Sequence, residues 1–319
     1  MKAIINGRLV LPDTTLDHHV LLYEGDTIAD IVPQDAVNLD NCETVIEAEG
    51  AFVMPGFINE HIHGCAGVDT MDEDVAALPK MQQVLPATGV TSFLPTTMTY
   101  DRPRIEAALQ RIRQAKRNPG ARILGAHMEG PFISKTYKGA QKESNISVAD
   151  FSWLEPYDDV VKIITLAPET LQGKAFLEAC AKHDIIVSVG HSAATYEEVR
   201  SIMADCPFYH ITHLFNAMTP LHHRKPGIVG AALLDPHAHC ELICDNLHVH
   251  PAAQELVYHM KGQDGIILIT DSLRACLLAD GESELGGQKY SSVTERRVWQ
   301  TARWRAASRR CMRSSITSS

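Results

Sequence analysis

Apolar runs of strand length alternate with amphipathic stretches of helix length over most of the chain. From Phe57 onward there are eight such runs: FINEHIH, TSFLPT, RILGAHME, VKIITLAPE, IIVSVGHS, FYHITHLFN, CELICDN and GIILITD. Amphipathic stretches lie between several of them, at 102–117 and 171–183. Strands that alternate with helices indicate βαβ units, and eight of them predict an α/β fold of the (β/α)₈ TIM-barrel type.

Residues 2 to about 54 show a different rhythm, with short β-rich runs separated by turn residues. Asn6-Gly7 predicts a hairpin turn, and Gly25-Asp26 predicts another. The pattern predicts a small β domain over 1–54, a barrel over 55–290 and a separate segment over 291–319.

Composition and charge narrow the class of protein. Of 319 residues, 45% are hydrophobic, and the formal net charge is −10. The negative charge argues against general affinity for nucleic acid or anionic membranes. The eight cysteines form no Cys-x-x-Cys, which is typical of reduced thiols. With no signal-peptide pattern and no apolar run of membrane length, we expect a soluble, cytoplasmic protein.

Three His-x-His pairs occur among the 16 histidines, at His61/His63, His237/His239 and His248/His250. One pair alone proves little in a chain so rich in histidine, and each residue could be a satisfied core or loop residue. Residues two apart on a strand point the same way, so a pair on a strand can reach one ion.

Candidate metal ligands stand at the carboxyl ends of five of the eight predicted strands: His61, His63, Glu129, His191, His213 and Asp271. Barrels of this type carry their chemistry on that face. Several imidazoles together with carboxylates suit Zn²⁺, Fe²⁺ or a similar divalent metal. The sequence therefore predicts a divalent metal site at one rim of the barrel.

Longer motifs strengthen this interpretation. MPGFINEHIHG, HMEGPFIS, LAPE, VGHSAATYEE, THLFNAM, LHHRKPGIVGAAL, DNLHVHP and ITDSLRA follow one another from about Met1 to Tyr290. Together they resemble the N-acetylglucosamine-6-phosphate deacetylases of the amidohydrolase superfamily. The resemblance implies a metal-dependent barrel with a small β-sandwich domain, incomplete here. It also implies hydrolysis of N-acetylglucosamine 6-phosphate to glucosamine 6-phosphate and acetate in amino-sugar catabolism.

The same resemblance implies roles for individual residues. Glu129, His191 and His213 would hold the main metal, while His61 and His63 match a pair that only some members use for a second ion. Zn or Fe, as one or two ions, is the implied cofactor. Asp271 matches the catalytic aspartate, which suits proton transfer from water to the departing amine. The residues implied to bind the substrate are Gln141, Asn216, Ala217, Arg224 and His248.

Gln141 departs from the family pattern, which commonly has a histidine at this position. A glutamine side chain can donate a hydrogen bond but not a proton. The substitution therefore affects either substrate preference or rate.

The segment 291–319 differs abruptly from the rest, with seven Arg, no Lys, one Glu and two of the three tryptophans. Residues 298–305 can be encoded by codons that give a different peptide when the reading frame is shifted by one base. Read on into the next codon, the shifted frame encodes Leu-Ala-Asp-Gly-Thr-Leu-Ala-Gly, which is the sequence found at this point in the family. We hypothesise a frameshift near Tyr290, which leaves an aberrant, disordered tail and a truncated C-terminus. Loss of the last helical cover would expose apolar surface and favour aggregation.

Several functions stay open at this level. N-acetylgalactosamine 6-phosphate differs from the first substrate at one hydroxyl, and motifs do not separate the two. The truncated chain could instead be an inactive remnant, or the Arg-rich tail could bind nucleic acid. Family members commonly form homodimers in which a neighbouring subunit completes the phosphate pocket, so we expect a homodimer acting on a small phosphosugar.

Overall fold

The computed structural model describes residues 1–285, 288–293 and 296–299. Contacts within the chain divide it into two compact units, Met1–Phe57 and Ile58–Ser319.

The first unit contains one five-stranded sheet. Its strands are β1 (Lys2–Val10), β2 (Thr15–Glu24), β3 (Thr27–Pro33), β4 (Thr44–Glu47) and β5 (Phe52–Val53). They lie in the order β3-β2-β1-β4, and β5 also pairs with β1. Strand β1 runs antiparallel to β2 and parallel to β4. A small core of Ala3, Ile5 and Val20 lies against one face of the sheet.

The two turn predictions in this unit have different outcomes. Gly25-Asp26 joins β2 to β3 with Glu24 opposite Thr27, which confirms the tight hairpin. The prediction at Asn6-Gly7 is wrong, because both residues lie inside β1. Asn6 has a φ of 54°, and the pairing register shifts between Ile4 and Gly7. The dipeptide forms a bulge because a left-handed residue can bend a strand as well as reverse it.

The second unit begins with the strands of the predicted barrel. They are β6 (Phe57–Ile62), β7 (Gly64–Cys65), β8 (Val68–Asp69), β9 (Val90–Thr97), β10 (Arg122–Ile123), β11 (Ala126–Glu129), β12 (Val161–Leu166), β13 (Ile186–Val189), β14 (Tyr209–Ile211), β15 (Ala238–Ile243) and β16 (Ile266–Ile269).

Eight of these strands form the wall of a parallel barrel. Strand β6 pairs with β9, and the order continues β9-β11-β12-β13-β14-β15-β16, while the short β10 also pairs with β9. The barrel closes between the residues just after β16 and strand β6. Here Ile62 and Ser272 form a parallel bridge, and Asp271 N donates to His61 O at 3.0 Å. The prediction of a (β/α)₈ barrel is confirmed.

Over the residues that the structure describes, six α-helices accompany the strands. They are α1 (Ala77–Val84), α2 (Arg102–Ala115), α3 (Ala175–Lys182), α4 (Tyr196–Ile202), α5 (Gly227–Leu234) and α6 (Pro251–Lys261). Helix α2 starts where the Asp101 carboxylate accepts Arg104 N, and α4 starts with a capping box between Thr195 and Glu198. The buried faces of the helices join the strands in one large apolar core.

Beyond β16 the described chain forms a three-stranded antiparallel sheet. Its strands are β17 (Gly281–Leu285), β18 (Gln288–Val293) and β19 (Arg296–Trp299), and Leu285 and Tyr290 are buried in the core of this unit. Residues 291–293 and 296–299, expected to be disordered, therefore lie in strands. Residues 300–319 of the predicted tail lie outside the described residues.

Among the helices that the structure describes, none has the length and apolar composition needed to cross a bilayer.

Candidate active site

Three residues from different strands meet at the carboxyl end of the barrel. Glu129 ends β11, while His191 and His213 follow β13 and β14 by two residues each. Glu129 Oε1 lies 2.9 Å from His191 Nε2 and 3.1 Å from His213 Nε2, and the two ring nitrogens are 3.1 Å apart. All three residues are buried. The structure thus brings together the three residues that were predicted to hold the main metal.

His61, His63 and Asp271 form a second group beside the first. Asp271 Oδ1 lies 3.4 Å from His61 Nε2 and 3.3 Å from His63 Nε2. Glu129 joins the two groups, because its Oε1 is 3.6 Å from His61 Nε2 and its Oε2 is 3.4 Å from His63 Nε2. Four histidines and Asp271 therefore surround the Glu129 carboxylate at the rim of the barrel.

The backbone at these positions is unusual. His191, His213 and Asp271 have φ values of 47°, 30° and 46°, in the left-handed region that favours glycine. Each such residue costs about 1–3 kcal/mol and persists only where the surrounding structure enforces it. Strained residues that converge on one point indicate a functional site.

The hydrogen bonds of the imidazole rings direct their free nitrogens toward this point. Nδ1 of His61 lies 2.8 Å from Glu241 Oε2, Nδ1 of His63 3.2 Å from Thr96 O, and Nδ1 of His191 2.9 Å from Tyr137 O. An Nδ1–H that donates to oxygen leaves the Nε2 lone pair available.

The donor set fits a divalent metal. His61 Nε2 is buried and has no hydrogen-bond partner among the described residues. Within each of the groups Glu129–His191–His213 and His61–His63–Asp271, the ligand atoms lie within 4.8 Å of one another. Such imidazole and carboxylate sets hold Zn²⁺, Fe²⁺ and similar ions.

The electrostatics keep both carboxylates ionised. Burial raises the pKa of Glu129, but the imidazoles of His191, His213 and His63 outweigh it and hold this pKa well below its usual range. Burial also raises the pKa of Asp271, but His61 and His63 outweigh this effect and hold the pKa below its usual range. Ionised carboxylates are the form that binds a metal or accepts a proton.

Most of the predicted substrate residues line the cavity above the metal-ligand groups. Gln141, Asn216, Ala217 and His248 lie in its wall, together with the ligands His63, Glu129, His191, His213 and Asp271. His248 is held by Asp245, whose Oδ2 lies 2.7 Å from Nδ1. Ala217 has a φ of 48°, a further non-glycine residue in the left-handed region at this site.

Gln141 contacts the metal-ligand group directly. Its Nε2 donates to Glu129 Oε2 at 2.6 Å, and its Oε1 accepts Thr99 N at 2.7 Å. The side-chain amide therefore holds the second oxygen of Glu129 in place.

Arg224 is the predicted substrate residue that the structure does not bring to the cavity. It is exposed in the loop that joins β14 to α5, where His222 and Lys225 pair. The cavity wall of this single chain does not include it.

Two buried residues below the rim were not predicted. Glu241 and His127 are fully buried, and Glu241 holds the His61 ring. A signal existed, because Glu241 interrupts the apolar run CELIC and His127 precedes Glu129 by two residues on the same strand.

Comparisons with known proteins agree with this geometry. The model of the amidohydrolase family matches residues 52–288. An N-acetylglucosamine-6-phosphate deacetylase of Lysinibacillus sphaericus is 41% identical over 249 residues, which cover 76% of this chain and 64% of that protein. An N-acetylgalactosamine-6-phosphate deacetylase of Escherichia coli O157:H7 is 36% identical over 288 residues, covering 88% and 74%.

A solved structure is also closely similar. The N-acetylglucosamine-6-phosphate deacetylase of Thermotoga maritima superposes with a TM-score of 0.84 at 34% identity, covering 97% of this chain and 81% of that one. The chain spans less than two thirds of the length of the Lysinibacillus relative. The family implies a divalent metal cofactor, which the donor set above fits. The chain belongs to the amidohydrolase family, and it is similar to deacetylases named for N-acetylglucosamine 6-phosphate or N-acetylgalactosamine 6-phosphate.

Proposed function

We propose that this protein removes the acetyl group of N-acetylglucosamine 6-phosphate, giving glucosamine 6-phosphate and acetate. The observation that carries the proposal is the convergence of Glu129, His191 and His213 within about hydrogen-bond distance of one another, beside Asp271 and in the wall of one cavity. The relatives named above, which carry this activity in their names, support the same substrate class.

Glu129, His191 and His213 hold the main ion in this proposal, and His61, His63 and Asp271 hold or face a second. Nitrogen-rich sites of this kind favour Zn²⁺ or Fe²⁺. A bound divalent ion polarises the acetyl carbonyl and makes water a nucleophile near neutral pH. Metal analysis of the purified protein tests identity and number of ions.

Asp271 is the proton carrier. Its carboxylate takes a proton from the attacking water and delivers it to the amine nitrogen as the carbon–nitrogen bond breaks. Its lowered pKa keeps the carboxylate ionised, which is the form that can accept a proton, and about a quarter of its side chain (24%) is exposed.

Gln141, Asn216, Ala217 and His248 hold the sugar phosphate. The Gln141 amide offers a hydrogen bond to the substrate but no proton, which sets it apart from a histidine at the same place. Arg224 reaches a phosphate in a neighbouring subunit, because it is exposed and outside the cavity of its own chain. An arginine guanidinium suits bidentate phosphate recognition. A homodimer follows from this assignment, and sedimentation analysis tests it.

N-acetylgalactosamine 6-phosphate is the second candidate substrate. The Escherichia coli relative with that name is covered over 74% of its length, more than the Lysinibacillus relative. The two sugars differ in the orientation of one hydroxyl. Acetate release from each phosphosugar, compared as kcat/KM, decides between them.

The same assay tests whether this chain is active. Acetate release is measured on the 319-residue chain and on a version with the reading frame restored after Tyr290. Activity only in the restored chain indicates an inactive remnant, and release from neither refutes the proposal. Salt-sensitive nucleic-acid binding that depends on 291–319 would favour the tail instead. A cytoplasmic location stays a prediction.

A further inference from the structure

One carboxylate below the rim contacts both groups of candidate ligands. Glu241 lies in the middle of β15 and is fully buried. Its Oε2 is 2.8 Å from His61 Nδ1 and 3.2 Å from His213 N. Glu241 itself does not line the cavity, so it touches neither substrate nor reacting atoms.

Glu241 makes His61 different from the other imidazoles. His63 and His191 donate through Nδ1 to the neutral carbonyl oxygens of Thr96 and Tyr137. His61 donates to a carboxylate instead. A carboxylate partner fixes the tautomer of a ligating histidine, fixes its ring orientation and makes the other nitrogen a stronger donor.

A buried carboxylate without a compensating cation is costly. Oε1 of Glu241 has no hydrogen-bond partner among the described residues, and His127 Nδ1 lies 3.7 Å from it. An ion on His61 Nε2 would supply positive charge through the ring that Glu241 already holds. The pairing is therefore favourable when the His61 position is loaded.

We propose that Glu241 is a positioning residue that holds His61 and thereby sets the affinity for a second ion at His61, His63 and Asp271. The inference rests on the metal centre of the proposed function. We expect the affinity for the first ion, at Glu129, His191 and His213, to depend little on Glu241. Of these three ligands, His213 contacts the Glu241 carboxylate, and it does so through its backbone N–H.

The test measures stepwise Zn²⁺ binding to the full chain by competition with a chromophoric chelator. Glu241→Gln keeps the shape and removes the charge. The matched control is Asp235→Asn, since Asp235 is also a buried carboxylate but contacts Tyr209 and Arg200 rather than Glu241 or a candidate ligand. We expect E241Q to weaken the second ion by about 10–100-fold while the first changes less than about threefold. D235N keeps both affinities.

A double-mutant cycle separates positioning from a general structural role. If Glu241 acts through His61, E241Q has no further effect on Zn²⁺ affinity in a His61→Ala background. Glu241→Asp keeps the negative charge but shortens the side chain, so the carboxylate lies further from His61. We expect this variant to have an intermediate affinity for the second ion. Circular dichroism of the apo-proteins checks the fold of each variant.

Four results would overturn the inference: wild-type affinity for both ions in E241Q, equal loss of both ions, an undiminished effect of E241Q in the H61A background, or a wild-type chain that binds one ion. Unfolding of both Glu241 variants while D235N folds also counts against it. If the affinities behave as expected but the wild type releases no acetate, the deacetylase proposal fails and the inference about Glu241 stands.

Discussion

Leu268 on β16 and Leu242 on β15 form a matched pair that tests whether the barrel of this chain is fully covered. They lie opposite each other in register, next to Glu241 and Ile267, which pair beside them. Glu241 points into the barrel, so the two leucines point outward. Leu242 is 2% exposed and Leu268 is 59% exposed.

The difference follows from the order of elements. Helix α5 packs on β15, and α6 packs on α5 and β16. In the described part of the chain, β16 is followed by the sheet β17–β19 rather than by a helix. A strand of such a barrel needs a helix on its outer face to exclude water. In the described part of the chain, Leu268 therefore lies on an outer face that is only partly covered.

The expected free energies of unfolding follow from these exposures. Leu→Ala in a packed core costs about 2–5 kcal/mol, so Leu242→Ala should cost about 3 kcal/mol. Leu268→Ala should cost about 1 kcal/mol, because less than half of its side chain has left water and full burial is worth about 1.5–3 kcal/mol. A gap of about 2 kcal/mol is roughly a 30-fold difference in the folding equilibrium.

Urea unfolding, followed by circular dichroism at one protein concentration, measures both costs from the midpoint and the slope. Equal costs for the two variants would refute the reasoning, since they would mean that Leu268 is covered. In a chain with the frame restored after Tyr290, we expect the cost of L268A to rise toward that of L242A.

Three further predictions concern the candidate active site. Asp271→Asn should lower kcat for acetate release by about 10²–10⁴-fold while at least one metal ion per chain, measured by elemental analysis, stays at Glu129, His191 and His213; unchanged kcat would remove Asp271 from the proton transfer. Gln141→Ala removes two buried hydrogen bonds, one of them to Glu129, and should destabilise the fold by about 2–4 kcal/mol in urea unfolding; a cost near zero would contradict the observed contacts. Asp245 has its pKa lowered to about 2, since its hydrogen bond to His248 outweighs the effect of burial. This stabilisation of about 2 kcal/mol is present above the unfolded pKa near 4 and is lost as pH falls through about 2. Asp245→Asn should therefore destabilise the protein at pH 7 and progressively less below pH 4, as measured by unfolding at a series of pH values. A difference in stability that does not depend on pH would argue against this interpretation.

Much of the barrel was predictable because its strands are local features. Runs such as 161–169 and 185–192 are apolar, short and followed by helical periodicity, and each contains the strand that the structure has, β12 and β13. The position of Glu129, His191 and His213 at strand ends was predictable for the same reason. Their roles as ligands stay a prediction.

Other features depended on context that no local pattern carries. Asn6-Gly7 has the residues of a hairpin turn, but its neighbours continue the strand on both sides and the pair becomes a bulge. Arg224 belongs to a basic motif, yet its loop leaves it exposed and away from the cavity of its own chain.

The amino-acid sequence by itself determined which segments become strands, which side of each strand a residue occupies and which residues stand at the strand ends. These properties follow from alternation and helical periodicity over a few positions. Only the tertiary structure decided that Glu241 reaches His61 across 180 positions, and that Glu129 and His213 meet across 84. Such contacts depend on how all eight strands pack and close into a barrel. The distance between residues that are remote in the sequence is set by many contacts together rather than by any local pattern.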